Sequence, residues 1–402
     1  MEPGFSAEAR VYLDHAATTP MISQAQEAWL SVARQVGNPS SLHAAGRRQR
    51  QIVEESRESI AELLGTRPSA VVFTSGGTES DNLAIKGMYW ESRRITGASV
   101  VAASAIEHHA VLDPVEWLAQ DQGACVEWLP VDDFGRVRLD ALADALSGPP
   151  VAVCSIMWAN NEIGTVQPVA EAAAMCRAAG VPFHTDAVQA LGHLPMNLGE
   201  LGADAVTVSS HKIGGPFGVG ALIVDPGSGL TPVLHGGGQE RDVRSGTLDA
   251  PAIAAFAVAV RHAVEGQRDR ARHLIALRER LMAGIESAVP DARINGDRGT
   301  SPDARLPGNV HVSFPGCEGD LLLMLLDAAG IDCSTGSACT AGIPEPSHVL
   351  LAMGRDKAQA RSSLRFSLSE SSSQGDVDAV LAALPSAVER ARRAGVMDAQ
   401  VV

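Results

Sequence analysis

Lysine occurs at three positions in the 402 residues, Lys86, Lys212 and Lys357, because the basic residues are nearly all arginine. Arginine cannot shed its proton and form a Schiff base, whereas an amine can, so a lysine kept in such a background is a candidate for covalent chemistry. Lys86 closes a helical stretch just before Gly87, and Lys357 follows Arg355 and Asp356 in polar sequence, both ordinary surface settings. Lys212 is placed differently. It follows the Val- and Thr-rich segment Ala205–Ser209 and precedes a loop that Gly214, Gly215, Pro216, Gly218 and Gly220 keep out of helix and strand.

Two further stretches could complete a site around such an amine. Ser75-Gly-Gly-Thr78 lies between a predicted strand and a predicted helix, where free backbone N–H groups, the positive helix end and a hydroxyl make an anion seat. It has neither the G-x-x-x-x-G-K-[ST] run of a P-loop nor a dinucleotide fingerprint, so a monophosphate suits it better than a nucleotide. A plain capped turn is the competing reading. Asp186 follows the apolar run Val181–Phe183 and sits where a sheet core meets its rim. It could simply cap the next segment. Beside a lysine on a nearby strand end it could instead keep a pyridine nitrogen protonated, so that the ring accepts electrons. Gln189 could reach the same ring, and His108 could stack on its face or move protons. A metal-dependent hydrolase built on His108, His184, Asp186 and His211 is a second reading of the histidines, but it leaves Lys212 without a task.

These groups need elements that bring them together. In open α/β sheets, ligands bind beyond the carboxyl ends of the strands. Five predicted strands end in Gly76-Gly77-Thr78, His108, Asn161, Asp186 and Lys212, which puts all five groups on one rim. The strands are Val71–Phe73, Val100–Ala103, Val151–Ile156, Val181–Phe183 and Ala205–Ser209, alternating with helical stretches. That alternation predicts an α/β fold, with a mostly parallel sheet flanked by helices. From about Ala252 the texture changes to a long Ala- and Arg-rich helical stretch that breaks at Gly266. Strands Asn309–Phe314 and Ser363–Leu368 and helices Glu318–Ala329, Ser347–Met353 and Gly375–Arg393 follow. Two domains are expected: residues 15–265 as a large ligand-binding domain, and residues 1–14 with 266–402 as a smaller α+β domain.

Apolar residues make up 45% and charged residues 20%, a soluble globular profile, and a net charge of −15 argues against a general nucleic-acid or anionic-membrane surface. No apolar run reaches the length of a membrane span and Met1–Arg10 is not built like a secretion signal, so a cytoplasmic location is expected. The six cysteines include no C-x-x-C pair and suggest neither a disulfide framework nor a zinc ribbon, and no metal site is expected. Cys333-Ser-Thr-Gly-Ser-Ala-Cys339-Thr-Ala-Gly342 is small, polar and glycine-containing, and mobility is expected of it. Such a loop suits a thiol that visits one site and delivers to another. Cys154 and Cys176, in apolar strand and helix contexts, read as buried and structural. Cys333 is either buried or close enough to Cys339 to bond with it on oxidation.

Taken together, the motifs resemble, in order and nearly end to end, those of NifS/IscS-like cysteine desulfurases, in the class V aminotransferase family of fold type I pyridoxal-phosphate enzymes. The matching stretches are Tyr12-Leu13-Asp14, Ala17–Pro20, Gly37–His43, Phe73–Ser80, Asn160–Gly164, His184–Gln189, Ser209–Lys212, Arg244–Thr247, Gly336–Thr340, Glu345–Val349 and Ser363–Ser367. The resemblance implies pyridoxal 5'-phosphate as cofactor, carried by Lys212, with Asp186 on the ring nitrogen and Gln189 on the phenolic oxygen. It implies that His108 stacks on the ring and shares proton transfer with Lys212, and that Asn161 helps to hold ring and substrate. Gly77, Thr78, Ser209 and His211 would hold the phosphate. Thr247 would reach the phosphate of a neighbouring subunit, which implies a homodimer. Arg365 would grip the carboxylate of the substrate L-cysteine. Cys339 would take the sulfur as a persulfide, with release of L-alanine, and pass it to an iron–sulfur scaffold or another sulfur acceptor. Gly77 stands where many relatives have alanine, and Ser210 where a small residue is usual. Neither change removes a backbone contact.

Overall fold

A two-residue strand, β1 (Val11–Tyr12), precedes the main sheet of the computed structural model, which describes residues 10–225, 227–301, 303–336 and 346–398. The main sheet has seven strands: β2 (Val71–Thr74), β3 (Val100–Ser104), β4 (Cys125–Leu129), β5 (Val151–Ser155), β6 (Phe183–Asp186), β7 (Ala205–Ser209) and β8 (Gly220–Val224). Their order across the sheet is β2-β8-β7-β6-β5-β3-β4. All run parallel except β8, which is antiparallel to both of its neighbours. The α/β fold with a mostly parallel sheet is therefore as the alternation predicts.

Strand composition accounts for burial on two faces. Val71 and Phe73 enter one core with Phe183, Val206, Val208 and Ala221, while Val72 enters the other with Val101, Ala205 and Leu222. Apolar runs without a polar face belong in a sheet covered on both sides. The first core is closed by the helices Ala44–Leu64 and Ala250–Glu265, the second by Gly77–Thr96 and His109–Gln122. Each such buried Val, Leu or Phe contributes roughly 1.5–3 kcal/mol.

Some predicted bounds shift, for identifiable reasons. β6 starts at Phe183 rather than Val181, because the Val181 N–H still donates to Cys176 O at the exit of helix Val169–Ala179, and Pro182 has no N–H for a ladder. The strand consequently ends on Asp186 itself. The sequence reading did not single out β4 or β8. β4 is an edge strand that exposes Cys125, Glu127 and Trp128, and β8 starts on a glycine that carries no β signal.

The rest of the chain has its own core. The strands β9 (Arg293–Ile294), β10 (Asn309–Ser313) and β12 (Ser363–Ser367) form an antiparallel sheet, while β1 pairs in parallel with β11 (Ile331–Asp332). Leu13, just after β1, packs with Leu281, Val310, Phe366 and Val380. The helical stretch after Ala250 divides at Gly266 into Ala250–Glu265 and Gln267–Ala288. Among the described residues, no helix is long and apolar enough to cross a membrane.

Candidate active site

β7 ends at Ser209 and the chain turns at once through a short 3-10 segment, Ser210–Lys212, which puts the lysine at the sheet rim. Lys212 Nζ donates to Ala16 O (2.7 Å) and Ala17 O (2.8 Å), in the turn after β1. Burial, and then the Arg365 charge, lower its pKa to about 8. The neutral amine is thereby roughly 300-fold more abundant at pH 7 than for an ordinary lysine.

Asp186 closes β6, the strand beside β7. Its Oδ1 accepts the Val188 N–H at 2.8 Å, and its other oxygen has no hydrogen-bond partner among the described residues. Burial, and then the nearby charge of Asp81, raise its pKa to about 7. A carboxylate so placed gains most from a cationic partner. Gln189 Nε2 donates to Ala16 O at 3.0 Å, the carbonyl that Lys212 also uses. Lys212, Asp186 and Gln189 are thus brought together.

The helix Gly77–Thr96 opens at Gly76, which has φ 147° and provides no side-chain cap, so the first N–H groups are left for a ligand. A Cβ on Gly77 would stand 3.0 Å from Val188 Cγ2 and 3.8 Å from Ser209 Cβ, so the seat abuts the segments leaving β6 and β7. Thr78 is exposed at this end. His211 Nδ1 lies 3.2 Å from Thr18 Oγ1, and its ring stacks on Phe217. Burial lowers its pKa to about 4, so the ring is neutral; with Thr18 donating to Nδ1, Nε2 carries the proton and can donate to an anion.

His108 caps the helix His109–Gln122, its Nδ1 accepting the Ala110 N–H at 3.1 Å. Crowding in the cleft, and then the Lys212 charge, lower its pKa below the ordinary histidine value, although the residue is exposed. Arg365, on β12, is buried. Its Nη1 donates to Asn161 O (2.9 Å) and its Nη2 to Asp14 Oδ1 (2.7 Å), while Nε has no partner among the described residues. Asn161 and Arg365 are therefore neighbours. Thr247 is exposed and makes no hydrogen bond to these groups. Cys339 lies outside the described residues. Cys333 is buried, and burial followed by the Asp14 charge pushes its thiol up to about 12, which disfavours a thiolate there.

Three acids around the site had no assigned role. Asp14 holds the Arg365 guanidinium across 351 positions of sequence, a pairing that no local pattern announces. Asp81 and Glu107 are fully buried near Asp186; Asp81 Oδ1 lies 3.4 Å from His184 Nε2, and Glu107 Oε2 has no hydrogen-bond partner among the described residues. Burial raises Asp81 to about 7 and Glu107 well above the carboxylate range. A charged residue on the apolar face of a helix, as at Asp81, is the one signal that could have marked it. A readily neutral amine, a carboxylate with an open oxygen and an uncapped helix start fit the aldehyde, ring nitrogen and phosphate of pyridoxal phosphate. Among the described residues no group of three or more His, Cys, Asp or Glu is arranged to hold a metal.

The sequence profile of the aminotransferase class-V family matches residues 11–380. Over 385 residues the chain is 53% identical to an IscS-like cysteine desulfurase of Mycobacterium tuberculosis, covering 95% of this chain and 97% of that protein. A solved NifS-like protein superposes with a TM-score of 0.86 at 34% identity, over 94% of this chain and 99% of that one. SspA, solved in complex with cysteine, matches with a TM-score of 0.75 at 32% identity, over 89% of this chain and 98% of that one.

Proposed function

The chain belongs to the aminotransferase class-V family and is a pyridoxal-phosphate-dependent cysteine desulfurase, and we propose a division of labour among its residues. The observation that carries it is the convergence of the Lys212 amine, the Asp186 carboxylate and the uncapped start of helix Gly77–Thr96 on one sheet rim.

When bound, pyridoxal phosphate supplies an electron sink for the bonds that break in the substrate. Lys212 Nζ would hold the cofactor, and as a free amine it would take the proton from the substrate α-carbon. The open oxygen of Asp186 would keep the proton on the ring nitrogen, and Gln189 would donate to the phenolic oxygen. His108, its Nδ1 tied to the Ala110 N–H, would present its ring face to the cofactor and share in proton transfer. Gly77, Thr78, Ser209 and His211 bind the phosphate, joined by Thr247 from a second copy in a homodimer. Asn161 and Arg365 bind the substrate, with Asp14 and the Asn161 carbonyl fixing the guanidinium that grips the carboxylate of L-cysteine.

Cys339 completes the reaction. Its thiolate attacks the substrate sulfur; an S–S bond forms as the Cβ–S bond breaks, the electron pair of that bond stays on the carbon side and takes a proton at Cβ, and return of a proton from Lys212 to the α-carbon completes L-alanine. The persulfide sulfur then passes to an iron–sulfur scaffold or another thiolation partner. On this reading residues 15–265 are the cofactor-binding domain, residues 1–14 with 266–402 carry the cysteine loop, and the enzyme works in the cytoplasm. The test is a measurement of sulfide and alanine from L-cysteine under reducing conditions. Cys339→Ser should keep its cofactor yet release almost no sulfide; undiminished release would move the role to another cysteine.

A further inference from the structure

The segment from Gly238 to Arg244 reaches the phosphate seat through an unusual backbone. Glu240, Arg241 and Asp242 are three consecutive non-glycine residues in the left-handed region, with φ of 48°, 58° and 64°. Residues with a Cβ enter that region only when their surroundings hold them there. Glu240 is what is held. Its buried carboxylate accepts both arms of Arg57 (2.7 and 2.9 Å) and the Phe73 N–H (2.8 Å), and Arg241 Nη2 donates to Val71 O (2.8 Å). Val71 and Phe73 belong to β2, the outer strand of the main sheet, so the turn satisfies backbone groups that no further strand would reach. β2 leads directly into Ser75–Thr78.

From this anchored turn the chain delivers Arg244. Its Nε and Nη2 donate to the two carboxylate oxygens of Glu79, at 2.6 and 3.1 Å, and Glu79 Oε2 also accepts the Ser75 N–H at 2.7 Å. The two side chains are only 16% and 18% exposed. Glu79 stands in the first turn of the helix that offers its N–H groups to the phosphate. Unpaired, its charge would oppose a phosphate dianion; the bidentate guanidinium cancels it. By taking the Ser75 N–H, Glu79 also leaves Gly77 and Thr78 as the open donors.

We propose that Glu79 and Arg244 are positioning residues for the phosphate seat, braced by the Glu240 turn. The ion pair sets the charge of the seat and selects which backbone N–H groups face the phosphate. This rests on the reading of Gly77 and Thr78 as phosphate-binding.

The experiment compares the affinity of the apoenzyme for pyridoxal 5'-phosphate with its affinity for pyridoxal, which lacks the phosphate. Arg244→Gln should weaken binding of the phosphate ester by roughly tenfold or more, the size expected for one lost charge-assisted contact, with little change for pyridoxal. Glu79→Gln should lose less. The double variant Glu79→Gln/Arg244→Gln should bind the phosphate ester better than Arg244→Gln alone, because the uncompensated carboxylate is gone. A merely structural role would weaken both ligands alike and give no such rescue, and either result overturns the proposal. If Arg244→Gln does not fold, Arg244→Lys keeps the charge without the fork and should show an intermediate loss; wild-type affinity in that variant would equally overturn it. Should wild-type apoenzyme fail to prefer the phosphate ester, the phosphate seat itself is misread. A normal preference unaffected by any of these variants removes only the role of the pair.

Discussion

At the scale of single residues, burial moves Lys212 and Asp186 toward one another in acidity, the amine down to about 8 and the carboxylate up to about 7. Each is left short of a counter-charge that the cofactor can supply. Lys212 should make the purified enzyme yellow, and borohydride should fix the cofactor to that residue; Lys212→Ala should give a protein with no reducible adduct and no sulfide release. A Lys212→Ala protein that still trapped the cofactor on another lysine would contradict this assignment. Asp186 makes a testable statement about stability. Its folded pKa is raised from 3.8, so its contribution is complete below about pH 4 and is lost as pH rises through about 7. Apo Asp186→Asn should therefore be more stable than the apo wild type at pH 8, by up to roughly 4 kcal/mol, with the gain vanishing toward pH 4. Denaturant melts across that range measure it, and sulfide release should fall in the same variant. Equal stability at pH 8 would mean that the carboxylate carries no burial penalty.

At the scale of elements, the site depends on how closely strand ends approach one another. β8 lies between β2 and β7 and brings the phosphate loop beside Ser209. A Cβ on Gly220 would lie 2.8 Å from Gly76 Cα and 2.7 Å from Val208 O, both backbone atoms that cannot swing aside. The glycine is required there by close approach. Gly220→Ala should destabilise the protein by roughly 1–3 kcal/mol and weaken cofactor binding, because the seat must move off the sheet. Chemical denaturation and a cofactor titration check the two effects. A variant with wild-type cofactor affinity would show that the seat does not depend on this contact.

At the scale of the whole molecule, a single copy leaves large apolar side chains in solvent, among them Trp29, Leu30, Val36, Leu42 and Phe217. Phe217 follows the Lys212 loop and stacks on His211, so the exposed surface borders the proposed phosphate site. Thr247 is likewise exposed. These features support a homodimer in which a second copy covers the rim of the site. Dilution to monomers should weaken cofactor retention in step with dissociation, followed by sedimentation and visible absorbance at falling concentration. Full cofactor retention by a monomer would contradict a shared site.

The α/β alternation, the strand-end positions of Lys212 and Asp186, and the glycine turn between β2 and its helix were legible in the sequence, because each is a local pattern of residue types with its own geometry. β8 was not, since its apolar run Ala221–Val224 follows the glycine loop directly and its antiparallel place between β2 and β7 is set by a chain reversal. β6 starts two residues after the apolar run does, because the Val181 N–H is used by the preceding helix. The Asp14 grip on Arg365, the buried acids Asp81 and Glu107 beside Asp186, and the Arg244–Glu79 pair lay beyond sequence reading for one reason. Each joins residues far apart in the chain, and only the folded sheet and its second core bring them within hydrogen-bonding or electrostatic range. Residue types and their order name the groups able to do the chemistry, whereas their charge states belong to the fold, since burial and neighbouring charges exist only once the chain is folded.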